Sequence, residues 1–170
     1  GTFPAASAGW IISEEPFLGG DNFLSFLKLR ASYGLTGNAE IANFAPLALY
    51  SAAAYEELSG LIPTTLPNPD LRWEKTKQFD VGIDFGFFND RITGEVDYYI
   101  KNTEDLLLNL PLPGYSGFTV ITKNVGKLEI KGFEFVLNTQ NLVWEFQWST
   151  NFNIAFNRNK VLDLAGNTIF

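Results

Sequence analysis

The stretch VGIDFGFFNDRITGEVDYY, residues 81–99, alternates in a way that leaves few folds open. Before Asn89 the apolar side chains fall on odd positions: Val81, Ile83, Phe85 and Phe87. After Asp90 they fall on even positions: Ile92, Val96 and Tyr98. A strand places alternate side chains on opposite faces. A two-residue turn at Asn89-Asp90 pairs odd residues with even ones, so the parity switch keeps every apolar side chain on one face. Phe87 then faces Ile92, Phe85 faces Gly94, Ile83 faces Val96, Val81 faces Tyr98 and Phe79 faces Ile100. Asn and Asp both tolerate the positive φ that such a turn requires. The opposite face pairs Gly86 with Thr93, Asp84 with Glu95, Gly82 with Asp97, Asp80 with Tyr99 and Gln78 with Lys101. It is polar, glycine-rich and acidic.

The same period recurs along the chain. FLKLRASYG sets Leu27, Leu29, Ala31 and Tyr33 against Lys28, Arg30 and Ser32. GFEFVLN offers Phe133, Phe135 and Leu137, and WEFQWSTNFNIAFN sets Trp144, Phe146, Trp148, Phe152, Ile154 and Phe156 against polar neighbours. The alternation predicts strands near 3–12, 24–34, 76–88, 91–103, 124–138 and 144–158. A second short turn is expected near Thr139–Val143, and long loops near 35–75 and 104–122. Helical periodicity is weak; AAAYEELSGL, residues 52–61, is the one candidate for a short loop helix. Leu128 and Ile130 are even whereas Phe133 onward are odd. Either Gly132 is a bulge, or only the second half of that strand meets an apolar medium.

Composition closes several functional classes. The 12 basic residues stand against 19 acidic ones, a net charge of −7, which argues against a nucleic-acid surface. There is no His and no Cys. Triad catalysis, His or Cys metal centres and disulfides are therefore excluded. No cofactor motif is present; Gly114-Tyr115-Ser116-Gly117 reads as a turn without phosphate-loop spacing. No run approaches the ~20 apolar residues of a membrane helix. Gly1-Thr2-Phe3 does not read as a natural start, so the expectation is a processed chain or a piece of a longer protein.

Alternation alone does not say whether the apolar face meets lipid or a protein core. A soluble β-sandwich that binds glycans through exposed aromatics is the alternative. Three features favour a membrane barrel. The strands exceed the ~5–6 residues common in soluble sheets and suit the ~9–11 of a membrane strand. Short turns alternate with long loops, as in outer-membrane barrels. The apolar faces carry no charge, and aromatics gather near the short turns as an interfacial girdle does. The fold class expected is all-β: an antiparallel up-and-down meander forming a five- to six-strand portion of a large transmembrane β-barrel. Its lipid-facing residues would be Phe79, Val81, Ile83, Phe85, Phe87, Ile92, Val96, Tyr98, Trp144, Phe146, Trp148 and Phe152.

FPAASAGWIISEE, LKLRASYGLTGN, NPDLRWEKTKQFDVGIDFGFFNDRITGEVDYYIKNTEDLLL, NVGKLEIKGFEF and NFNIAFNRNKV, in that order, resemble the C-terminal barrel region of SusC/RagA-type TonB-dependent outer-membrane transporters of Bacteroidota. The resemblance covers nearly the whole chain. It implies a barrel of about 22 strands with an N-terminal plug, no enzymatic activity, and import of glycans or peptides across the outer membrane. It also implies partners: the remainder of the barrel and plug, a SusD-like surface lipoprotein, membrane lipid, and TonB through a part before Gly1. Short turns at Ser13–Phe23, Asn89-Asp90 and Thr139–Val143 would be periplasmic, and segments 35–76, 104–122 and 159 onward extracellular.

Two groups invite a chemical reading. Asp80, Asp84, Glu95 and Asp97 gather on one polar face, with Asp84 and Glu95 opposed at ~5 Å between Cβ atoms. A retaining glycosidase pair, with carboxyls ~5–5.5 Å apart, and a Ca2+ site are the sharp readings. A solvated lumen wall, neutralised in part by Lys28, Arg30 or Lys101, is the plain one. Tyr50, Tyr55 and Trp73 lie in the first long loop. They are the candidates for stacking on sugar rings or peptide side chains, against simple packing of the loop on itself.

Overall fold

A computed structural model describes residues 1–18, 23–40, 43, 46–55 and 58–164. Among these residues ten strands and two short 3-10 turns account for the regular structure, with no α-helix. Six strands form one sheet in the order β1 (Ala5–Ile11), β2 (Leu24–Asn38), β5 (Glu74–Phe87), β6 (Ile92–Glu104), β9 (Lys127–Val143) and β10 (Gln147–Asp163). Two further antiparallel hairpins form separate two-stranded sheets: β3 (Tyr50–Tyr55) with β4 (Leu58–Pro63), and β7 (Leu107–Pro111) with β8 (Val120–Asn124). The chain divides into two compact units. One holds residues 1–36, 77–102 and 129–160, the body of the sheet. The other holds 37–76, 103–128 and 161–170, with both small hairpins.

The Asn89-Asp90 turn has the backbone its sequence predicts. Asn89 and Asp90 sit at φ 54° and 60°, and Arg91 N donates to Phe88 O at 3.3 Å. Positive φ at both central residues matches the twist of the flanking strands. Phe88 also lies at φ 55°, and its N–H donates to Phe23 O at 2.9 Å, which ties the turn to the start of β2. At the far end of the hairpin Thr76 and Thr103 share a hydroxyl hydrogen bond of 2.9 Å. The Phe85 ring lies over Gly94. Both contacts fit the register read from the alternation.

Several boundaries differ from the sequence reading. β2 runs on to Asn38 rather than stopping near residue 34. Residues 52–55 and 58–61 are not helical: Ala52 pairs with Leu61 and Tyr55 with Leu58 in the β3–β4 ladder. Helix propensity in a three-alanine run is a weak preference, and strand pairing of the flanking Tyr50 and Ile62 overrides it. Glu56 and Glu57 lie outside the described residues, as do positions 19–22 of the Ser13–Phe23 turn and everything after Leu164. The β7–β8 hairpin fills most of the expected 104–122 loop and runs two residues past it to Asn124, so the next strand begins at Lys127 rather than near 124.

The turn after β9 is at Trp144–Phe146, not Thr139–Val143. The polar run Asn138-Thr139-Gln140-Asn141 has turn-like composition, yet its side chains and backbone bond across the ladder. Asn151 donates to Asn138, Asn141 donates to Thr150 at 2.7 Å, and Gln140 N donates to Arg91 O at 2.8 Å. Trp144 and Phe146, expected on the strand's apolar face, therefore lie in the turn and are highly exposed.

The polarity of β5 is inverted relative to a soluble protein. Along β5 the odd residues from Lys75 to Ile83 are exposed, and the even residues are half-buried or buried. Phe79 is 42% and Ile83 39% exposed, whereas Gly82 and Gly86 on the polar face are buried. Among the described residues no hydrophobic side chain is buried. A β-sandwich must enclose its apolar faces in a shared core; no such core exists among the described residues.

Candidate functional site: the polar face of the sheet

The polar face is built around Arg30. The β1–β2 register sets Arg30 opposite Gly9 and Ser32 opposite Ser7, so small residues clear space above it. Arg30 Nε donates to Asp84 Oδ1 at 2.9 Å, and Nη2 donates to Asp97 Oδ2 at 2.7 Å. Nη2 also lies 3.9 Å from Glu95 Oε2. One guanidinium thus binds carboxylates on β5 and β6 from its place on β2. Its planar fork suits that task, since its donors diverge at fixed angles.

The geometry requires a glycine between them. A Cβ at Gly82 would overlap the Asp97 carboxylate and lie 2.7 Å from Arg30 Cζ. Asp80 sits to one side of this group. It accepts from Ser32 Oγ at 3.0 Å and from Gln78 Nε2 at 2.9 Å. Farther along the same face the Tyr99 ring covers Gly132 so closely that a Cβ there would overlap it. Lys101 Nζ stands 5.2 Å from the Tyr99 ring centre, within cation–π range.

The four acidic residues that the sequence draws together are therefore on one face, and Arg30 is the cation that answers three of them. The glycosidase reading loses its geometry: a general acid–base pair needs a substrate between two free carboxyls, and here a guanidinium joins them. Among the described residues no three acidic side chains are placed to hold a metal ion. The alternation of FLKLRASYG already places Arg30 and Ser32 on the polar face; it does not say which of Lys28, Arg30 and Lys101 reaches the carboxylates. Gln78 and Tyr99 entered the sequence reading only as facing positions.

Tyr50 and Tyr55 stand at opposite ends of β3, and Trp73 immediately precedes β5. On the apolar face Phe79, Val81, Ile83 and Tyr98 are exposed, as are Trp148 and Phe152 on β10. Phe85, Phe87, Ile92 and Val96 are half-buried. The Phe85 and Phe87 rings meet at a tilt with 5.5 Å between their centres, and Phe135 meets Phe152 at 6.3 Å.

An exposed apolar face backed by a charged, hydrogen-bonded face is the construction of a barrel wall that separates lipid from water. The sequence matches the family "TonB dependent receptor-like, beta-barrel" over residues 1–169, and the chain belongs to that family. It is 44% identical over 167 residues to TonB-dependent receptor P39 of Formosa agariphila, covering 97% of this chain and 16% of that protein. It is 42% identical over 176 residues to TonB-dependent receptor SusC of Bacteroides thetaiotaomicron, covering 98% of this chain and 18% of the relative. Among solved structures it resembles a chain of the RagAB peptide transporter, with a TM-score of 0.88 and 36% identity over 95% of this chain and 18% of that one. The chain thus spans less than a fifth of the length of these relatives, all of them receptors or transporters rather than enzymes.

Proposed function

We propose that this chain is part of the wall of a TonB-dependent importer in the outer membrane, one that takes up glycans or peptides. The observation that carries the reading is the inverted polarity around β5: Phe79, Val81 and Ile83 are exposed while the Arg30–Asp84–Asp97 group on the other face is half-buried. In this reading the odd face of β5 and the even face of β6 meet lipid, together with Trp148 and Phe152. Trp144 and Phe146 sit at the periplasmic interface. The likeness to SusC and to the RagAB peptide transporter supports glycans or peptides as the cargo. It also supports a SusD-like surface lipoprotein as partner. TonB would engage a part of the transporter outside this chain, together with the plug and the rest of the barrel.

Uptake of labelled oligosaccharides and oligopeptides tests this in cells with and without the full-length transporter, and with a protonophore added. Energised uptake of one class that depends on the transporter is the expected result. Uptake of both classes unaffected by its loss overturns the reading.

A further inference from the structure

The apolar band on the outward face of β9 and β10 ends in a group of cations. Phe135 on β9 touches Phe152 on β10, which fixes the face they share. Continuing by twos away from the Trp144–Phe146 turn, β9 presents Phe133 and then Lys131, and β10 presents Ile154, Phe156, Arg158 and Lys160. Lys131, Arg158, Lys160 and Glu129 line one shallow concavity. Parity is therefore unbroken at Gly132: there is no switch of face, and Leu128 and Ile130 point the other way. Glu129 pairs with Lys131 at 3.0 Å, which leaves an excess of two positive charges in a chain whose net charge is −7.

The spacing sets these cations at a definite depth. At the other end of the same face Asn141 and Thr150 form a polar pair. From Asn141 to Lys131 is ten residue steps on β9. At ~3.3 Å per residue the strand covers about 33 Å. Tilted by ~35–45°, that is about 25 Å of membrane, the height of the apolar band in outer-membrane barrels. Lys131, Arg158 and Lys160 thus stand at the headgroup level, at the strand ends opposite the short turn. A cationic cluster directly above an apolar band complements a molecule with a phosphate group joined to acyl chains.

We propose that Lys131, Arg158 and Lys160 form a docking surface for the phosphorylated headgroup of an outer-leaflet glycolipid, whose acyl chains lie along Phe133, Phe152 and Phe156. The inference rests on the lipid-facing orientation proposed above. Guanidinium and ammonium groups bind phosphate through charge-assisted hydrogen bonds, and the apolar band holds the chains in place.

The test uses the full-length transporter, stripped of lipid in a neutral detergent and titrated with diphosphorylated lipid A. The dephosphorylated glycolipid and the acyl-free glucosamine phosphate serve as comparison probes. Bound lipid is counted by native mass spectrometry. The triple variant K131Q/R158Q/K160Q is expected to bind diphosphorylated lipid A on the order of a hundredfold more weakly. The charge-preserving variant K131R/R158K/K160R should bind like the parent. Heat-modifiable migration of each variant confirms a folded barrel. Equal binding of the phosphorylated and dephosphorylated lipids by the parent overturns the proposal, as does undiminished binding by the folded triple variant. Equal binding of the acyl-free headgroup overturns the lipid in favour of a plain phosphate site. If the parent is soluble without detergent, the orientation itself fails, an outcome separate from the other three.

Discussion

Arg30 on β2 reaches Asp97 on β6, at 2.7 Å, across the full width of β5. Nothing bulkier than Gly82 fits beneath it. Three strands of the sheet are thereby clamped by one side chain, with Asp84 of the middle strand held by the same guanidinium at 2.9 Å.

Removing the clamp should weaken the wall. Arg30→Gln leaves three carboxylates without their cation. Hydrogen bonds to charged groups contribute ~1.5–3 kcal/mol each when well sheltered; partial exposure here lowers the expected loss to about 1–2 kcal/mol in total. The check is the temperature at which the full-length barrel loses its heat-modifiable migration. R30Q/D84N/D97N should recover part of the loss, because the amides remove the repulsion that R30Q exposes.

Gly82→Ala should act through the same bond. Its Cβ displaces the Arg30 and Asp97 side chains, both of which end in flexible groups, so the cost is about 1 kcal/mol rather than a backbone rearrangement. G82A and R30Q break one interaction, and their effects should be clearly less than additive in a double-mutant cycle. Full additivity in that cycle would show that Gly82 is needed for some other reason.

The turn makes a backbone prediction. Asn89 holds φ at 54°. Asn89→Val forces a β-branched residue into that region at a cost of about 1–2 kcal/mol. Asn89→Gly should be neutral or mildly stabilising. The yield of assembled transporter in the membrane fraction should therefore fall for N89V and hold for N89G. A matching fall in both would place the importance in the Asn89 side chain instead of its φ.

The two faces of the β5–β6 hairpin should respond oppositely to charge. Ile83→Arg on the exposed apolar face should cost ~2–4 kcal/mol if that face crosses the bilayer midplane. Thr93→Arg on the polar face should be tolerated. Assembly lost in I83R and retained in T93R is the expected pair of results; equal tolerance of both removes the lipid from the apolar face.

Much of this fold is already written in residue spacing. Alternation across Asn89-Asp90 specifies a hairpin, its register and the membership of each face, because side-chain direction in a strand depends only on parity. The same rule places Asp84 and Asp97 on one face of that hairpin, and Arg30 and Ser32 together on the polar face of their own strand. Local composition fails where two structures share it. Asn138-Thr139-Gln140-Asn141 has the residues of a turn, and Ala52-Ala53-Ala54 those of a helix; each is a strand because of a partner strand that sequence spacing does not reveal.

Tertiary structure settles the rest. Lys28, Arg30 and Lys101 are equivalent candidates on paper. Only the lateral order β2-β5-β6 puts Arg30 within reach of both Asp84 and Asp97, whereas Lys101 stays near Tyr99, two residues away on its own strand. Lys131 and Arg158 are 27 positions apart in sequence and share a concavity only because β9 and β10 are neighbours. Parity is a property of a single strand and can be read from it. Which strands lie side by side depends on hydrogen bonds between distant segments, and those exist only once the sheet has formed.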